Sequence, residues 1–352
     1  MTPTTMRAAF LLKPREVVVE SIPVPVPGPG EVLVEVTTAL TCGTELKSYR
    51  QGHRLFTPPW PLGHEFVGRV VSLGEGVKGF TAGERVVAAN SAPCGTCDPC
   101  LAGRTNLCRH LPQMLLRGAF ADYLAISAPI VAHNLFAAPD GVPDQTLAFL
   151  EPFACVVQGV EEAAIEPGEA VVVLGGTGPI GLLFVQLLRE AGADPIVVVG
   201  RKPQRLALAR TFGATAAIDA TRGDLVEQVL AATGGADVVI EITGIPELIE
   251  KAIAMARPGG RVILFGGSAA GATAALDIAR VHYDALSLRG VFHHTPRTVR
   301  RSLALLASGA IDVAPLVGER MPLEAAAEAM RRFDSGETMK LAIAPGGRPP
   351  AV

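Results

Sequence analysis

The chain of 352 residues reads as an α/β protein: a β-rich opening third, then a doubly wound parallel sheet with helices on both faces. Three observations point there. From about Pro167, short β-branched runs alternate with stretches of helical composition, the rhythm of βαβ units. Gly176-Thr177-Gly178-Pro179-Ile180-Gly181 stands between such a run and a helical stretch, the context in which a G-x-G-x-x-G carries weight. The first third shows instead short apolar runs split by Gly and Pro, as in a small barrel or sandwich.

In order, the proline-rich PVPVPGPGE precedes a β-branched run at Val32 to Val36, then EFVGRVVSLG, ERVVAANSA and FADYLAISA. The alternating region offers six strands: VVVL, PIVVV, TAAID, DVVIEI, RVILFG and SLRGVF. Between them fall helices ending near Ala191, around Gln204 to Phe212, from Asp224, and from Pro246 to Ala256. Ala170 to Leu188 carries no charge and approaches the length of a membrane span. Four glycines and a proline interrupt it, so it reads as strand, turn, helix. After Phe292 the pattern breaks up, and the terminal APGGRPPAV reads as a frayed tail.

Composition narrows the function. The net charge is −3 and no block of Lys or Arg marks a nucleic-acid or membrane footprint. At 49% hydrophobic residues a chain of this length builds its core without disulfides. The opening MTPTTMRAAFLLKPREVVVE lacks the apolar run and cleavage site of a secretory leader, so a cytoplasmic protein with reduced thiols is expected.

Four of the six cysteines fall in SAPCGTCDPCLAGRTNLCR, spaced C-x2-C-x2-C-x7-C at Cys94, Cys97, Cys100 and Cys108. Four thiolates so placed wrap tetrahedrally around one Zn²⁺ and leave no position for substrate. A structural zinc is expected here, ahead of an iron–sulfur cluster or free thiols. Cys155 reads as a small core residue.

Cys42 in LTCGTELKSY and His64-Glu65 in PLGHEFVG gain meaning from their surroundings. Gly63-His64-Glu65-Phe66-Val67-Gly68, followed by Gly74 and Val77, fits the signature of the zinc-containing medium-chain alcohol dehydrogenases. The chain resembles that family, and its sorbitol and threonine dehydrogenase branch in particular, along nearly its whole length. The resemblance implies a GroES-like catalytic domain at 1–153 with the zinc lobe at about 91–109. It further implies a Rossmann domain at 154–293, a return to the first domain at 294–352, and an active site in the cleft between the domains.

The resemblance makes Cys42 and His64 ligands of a catalytic zinc and Glu151, in LEPFAC, a further carboxylate. Glu65 is expected either as an exchanging ligand or as an acid beside the metal, and Thr44 as the hydroxyl that passes the substrate proton outward. One thiolate, one imidazole and one carboxylate leave a fourth position open on Zn²⁺. The chain departs from the polyol branch's C-G-[S/T]-D-x-H: Glu45 replaces the Asp and Lys47 the His. A histidine-based proton shuttle is thereby put in question. Lys47 faces either a polar substrate or solvent, and Leu46, Trp60, Phe120 and His294 are candidate pocket residues.

In the nucleotide-binding region, Gly176, Thr177, Gly178, Pro179, Ile180 and Gly181 form the turn that lets the backbone approach a pyrophosphate at a helix N-terminus. The strand PIVVV should end in the acid that binds the ribose of NAD, but Gly200 stands there, followed by Arg201 and Lys202. With Arg205 these cations suit a 2′-phosphate, so NADP is favoured over NAD. The expected activity is reversible oxidation of a secondary alcohol (a polyol, sugar or cyclitol) to a ketone, in a homodimer or homotetramer. The alternatives are a zinc-free quinone or enone reductase and a non-catalytic nucleotide-binding sensor.

Overall fold

The computed structural model describes residues 2–52 and 58–346. The chain separates into two compact units, Met1–Ala154 with His294–Val352, and Cys155–His293. Of the tail APGGRPPAV, Ala344, Pro345 and Gly346 are described, and the rest lies outside the described residues.

The first unit is built on the strand Val32–Leu40, whose β-branched residues suit a pleated, covered surface. It pairs antiparallel with Glu65–Leu73, Tyr123–Ile126 and Lys340–Ala344. The seven-stranded sheet runs Val317–Pro322, Lys340–Ala344, Val32–Leu40, Glu65–Leu73, Arg85–Ala88, Leu135–Ala137, with Tyr123–Ile126 off that path. A second, three-stranded sheet orders Glu16–Pro23, Thr5–Lys13 and Trp60–Pro61. Val34, Val36, Leu62, Phe66 and Phe120 pack in the core of this unit.

Beyond Phe292, where the sequence pattern breaks up, the structure forms regular elements: helices Pro296–Ala307 and Ala326–Ser335, strands Val317–Pro322 and Lys340–Ala344. The first helix opens on a capping box between Thr295 and Thr298 with Pro296 in its first turn. The strand VGERMP buries Met321 alone, so it leaves no apolar run to read.

In the second unit all six strands run parallel, in the order Ala216–Asp219, Ile196–Gly200, Val171–Leu174, Ala236–Glu241, Ala256–Leu264, Ser287–Gly290. That is the 3-2-1-4-5-6 order of doubly wound nucleotide-binding sheets. Val171–Leu174, Ile196–Gly200 and Ala236–Glu241 are buried at every residue, because helices cover both faces of a parallel sheet. The uncharged stretch from Ala170 is the strand Val171–Leu174, a turn and the helix Pro179–Glu190. Among the described residues no helix is long and apolar enough to cross a membrane.

Phe184 of that helix is fully buried and meets Phe265 edge to face at 5.0 Å. Phe184→Ala should destabilise this unit by about 3–5 kcal/mol. Denaturant titration checks this; a cost no larger than that of an exposed substitution would contradict the packing described.

Candidate metal and nucleotide sites

Two chain segments of the first unit deliver Cys42 and His64. Cys42 follows Val32–Leu40 by two residues and is the N-cap of the helix Gly43–Gln51, while His64 immediately precedes Glu65–Leu73. Leu40 and Glu65 are direct partners across the two strands, so the pairing register itself brings the segments together. Ligand atoms of Cys42, His64 and Glu65 all lie within 4.8 Å of one another. Thr44 is exposed with its hydroxyl 3.9 Å from Cys42 Sγ. A sulfur, an imidazole nitrogen and a carboxylate at this separation are a donor set that suits Zn²⁺.

The surroundings orient these donors. His64 Nδ1 is 2.5 Å from Glu45 Oε1, and Glu45, in the first turn of its helix, is buried. A carboxylate on Nδ1 fixes the tautomer and leaves Nε2 as the lone-pair donor. Burial works against a charged His64, yet Glu45 and Cys42 together hold its pKa well above the usual histidine value. Glu45 is thus more than a departure from a pattern: it is the partner of His64, a role that sequence reasoning missed.

Glu65 is answered by Lys340, whose Nζ donates to its two carboxylate oxygens at 2.8 and 2.5 Å. Glu151, at the start of the helix Leu150–Ala163, is buried, and burial pushes its carboxyl up to about 7. Its Oε1 lies 3.9 Å from His294 Nε2, which in turn is 3.2 Å from Asn90 Oδ1. Of the other pocket candidates, Leu46, Trp60 and Phe120 pack in or against the core, and Lys47 is exposed. Neither Lys340 nor Asn90 belongs to a local motif; only their distant pairings disclose them.

The four lobe cysteines also gather, with their sulfurs within 4.8 Å of one another. Cys97 Sγ is 3.5 Å from Cys100 Sγ and 3.9 Å from Cys108 Sγ. Sulfurs at about 2.3 Å from a tetrahedral Zn²⁺ would stand about 3.8 Å apart, so the residues present fit that ion. Thr96, through its hydroxyl and amide, and the Cys97 amide donate to Cys94 Sγ and draw its thiol down to about 5. Burial pushes the Cys100 thiol up to about 12. None of the six cysteines is in a disulfide, and Cys155, expected in the core, is half-buried.

In the second unit the glycine turn lies between Val171–Leu174 and Pro179–Glu190. A Cβ on Gly181 would overlap the backbone of Gly176, whereas one on Gly178 would meet nothing within 4 Å. The turn is therefore packed on its inner side and open at the helix N-terminus, a fit for a pyrophosphate. Gly200 ends its strand beside Thr177: a Cβ there would fall on the Thr177 side chain. An acid at position 200 would thus force the Thr177 side chain to shift, so Gly200→Asp alone would disturb the turn. Arg201 and Lys202 are exposed and Arg205 half-buried, Lys202 having left-handed backbone at φ 68°. Glu241, missed in the sequence, is fully buried and accepts the amides of Thr243 at 2.7 Å and Gly244 at 3.0 Å, bracing the loop after its strand.

Comparison with known proteins agrees with this architecture. The family model for the alcohol dehydrogenase GroES-like domain matches residues 28–139, and that for zinc-binding dehydrogenases matches residues 179–308. The chain is 31% identical over 338 residues to sorbitol dehydrogenase of Bacillus subtilis, covering 94% of each chain. It is 32% identical over 329 residues to L-threonine 3-dehydrogenase of Aeromonas hydrophila, covering 92% of this chain and 94% of that one. A crystal structure described as a zinc-binding dehydrogenase of Sinorhizobium meliloti, bound to NADP, superimposes with a TM-score of 0.89 at 34% identity, covering 97% of this chain and 100% of that one. Signature, fold and relatives converge, and the chain belongs to the zinc-binding medium-chain dehydrogenases of the alcohol dehydrogenase superfamily.

Proposed function

We propose that this alcohol dehydrogenase reversibly oxidises a secondary alcohol of the polyol, sugar or cyclitol class to a ketone, with hydride transfer to NADP. In this reading 1–153 and 294–352 form the catalytic domain and 154–293 the nucleotide-binding domain. Cys42 and His64 hold a catalytic zinc, with Glu65 or Glu151 as its carboxylate ligand, and Cys94, Cys97, Cys100 and Cys108 hold a structural one. The observation that carries the reading is the gathering of half-buried Cys42 with buried His64 and Glu65, with Glu45 and Lys340 behind it.

When bound, zinc favours the deprotonated form of a hydroxyl and the nicotinamide takes up a hydride. The chain's own residues do the rest. Glu45 keeps the Nδ1 proton on His64 so that Nε2 points its lone pair at the metal. Thr44 offers the hydroxyl that accepts the substrate proton. Glycines 176 to 181 admit the pyrophosphate, and Arg201, Lys202 and Arg205 meet the 2′-phosphate. The NADP bound by the Sinorhizobium meliloti relative supports that cofactor choice. The reading also carries a cytoplasmic location and a homodimer or homotetramer, the assembly supported by the mostly exposed edge strand Ser287–Gly290.

The test is a panel of secondary alcohols and polyols, followed by the absorbance of the reduced cofactor, with wild type and Cys42→Ala in parallel. Turnover of at least one polyol is expected in the wild type and none in Cys42→Ala, with NADPH binding unchanged; equal turnover in both would sink the reading. Glu45→Gln should lower metal affinity at this site about 10–100-fold while the lobe keeps its metal, as read by competition with a chelator. Equal retention at both sites would remove Glu45 from the role given. Arg201→Ala should weaken NADP binding by about 1.5–3 kcal/mol, the range for hydrogen bonds to charged groups, and leave NAD nearly unchanged. Fluorescence titration of both reduced cofactors decides this, and an equal loss for both would show that Arg201 does not read the 2′-phosphate.

A further inference from the structure

Glu241 ends the strand Ala236–Glu241 in the interior of the parallel sheet. It is the register partner of Leu174 on one side and of Leu264 on the other. From Val171–Leu174 the chain passes to Ile196–Gly200 and Ala216–Asp219 on one side of the sheet, then crosses to Ala236–Glu241 on the other. The strand order therefore reverses between Val171–Leu174 and Ala236–Glu241. In such sheets ligands bind at that reversal, outside the carboxyl ends of the strands.

The Glu241 side chain is buried, and its carboxylate is met by three donors from the residues that follow it. The amide of Thr243 donates at 2.7 Å, that of Gly244 at 3.0 Å, and the Thr243 hydroxyl donates as well. Hydrogen bonds of this kind are what a carboxylate taken out of water requires. The Thr243 hydroxyl in turn accepts from the amide of Ile245 at 3.1 Å, and Ile245 is the N-cap of the helix Pro246–Met255. One side chain thus fixes the path from the end of the strand to the start of the next helix.

That path is wedged between two others. A Cβ on Gly175, the residue before the glycine turn, would overlap Thr243 Cγ2. On the other flank, a Cβ on Gly266 would overlap the Gly244 nitrogen, and one on Gly244 would lie 2.6 Å from the Gly267 carbonyl. Three crests therefore meet with no room for a side chain between them, and the middle one is pinned by Glu241.

In the NADP reading, the 2′-phosphate meets Arg201 beyond Ile196–Gly200, and the pyrophosphate meets the turn after Val171–Leu174. The other half of the cofactor, the nicotinamide riboside, is then left the carboxyl ends of Ala236–Glu241 and Ala256–Leu264. We propose that Glu241 is a positioning residue for that half: by fixing Thr243 and Gly244 it sets the surface on which the nicotinamide riboside lies. Glu241 acts through these two residues and does not touch the cofactor. The inference rests on the NADP reading.

The experiment titrates the full-length protein calorimetrically with NADPH and with adenosine 2′,5′-bisphosphate, which carries the 2′-phosphate but no nicotinamide. Glu241→Gln keeps the size of the side chain and turns an amide group towards donors that need an acceptor. It should bind NADPH about 10-fold more weakly or worse, as a displaced binding surface would, and bind the bisphosphate as wild type does. Thr243→Val, which removes one donor and keeps the shape, should show the same selective loss to a smaller degree. Equal weakening of both ligands would assign Glu241 to the stability of the whole unit and overturn the inference, as would unchanged NADPH binding. Where Glu241→Gln does not fold, Thr243→Val decides: a loss confined to NADPH supports the inference, and a loss of both ligands or of neither overturns it. Wild type that fails to bind the bisphosphate overturns the NADP reading and the inference with it, whereas wild type that binds both, with variants that lose both or neither, overturns the inference alone.

Discussion

Charge taken out of water must be met by opposite charge or by hydrogen bonds, and the first unit of this protein is arranged around that requirement. Glu45, His64, Glu65, Glu151 and Lys340 are all buried. Glu45 answers His64, and Lys340 answers Glu65. Strand register sets the second of these pairings, since Leu40 faces Glu65 across one ladder and Ala342 across the other, whereas Glu45 comes from the helix Gly43–Gln51 and His64 from the residue before its strand. The approach of Glu65 and Lys340 is thereby built into the sheet.

The sequence was most readable where the information is local. The parallel sheet could be laid out strand by strand because strands covered on both faces are apolar throughout, as Val171–Leu174 and Ile196–Gly200 are. The four lobe cysteines and the glycine turn were legible for the same reason: all their members lie within a few residues of one another. Lys340 was not legible. It sits 275 residues from Glu65, and a lone lysine opening a strand gives no local sign of a buried partner. Glu45 was noticed only as a mismatch, because its meaning depends on where His64 points. The strand Val317–Pro322 went unread since its exposed residues outnumber its buried ones.

The nucleotide-binding unit shows how one small residue serves two requirements. Gly200 leaves the end of its strand free of an acid, and it also gives room to Thr177, whose side chain occupies the space a Cβ would need. In the NADP reading proposed above, cofactor choice and the packing of the glycine turn are therefore coupled. Exchanging the acid-free strand end for an acidic one asks for a change at Thr177 as well. Glu241 has a comparable role on a nearby strand of the same sheet, its carboxylate spending its acceptors on the amides of Thr243 and Gly244.

The cysteine lobe has a consequence for how the protein ages. Its thiols are unequal: hydrogen bonds from Thr96 and Cys97 favour the thiolate of Cys94, while burial keeps Cys100 protonated. A thiolate is the form that oxidants attack, and a thiol alongside resolves the product into a disulfide. Cys97, whose thiol is drawn down by backbone hydrogen bonds from Arg109 and Cys100, holds its sulfur 3.5 Å from that of Cys100. An emptied lobe thus holds both the reactive and the resolving partner of a bond that would close it against metal. For the structural zinc proposed above, loss under oxidising conditions would be a ratchet, and reductant, supplied before metal, would turn it back.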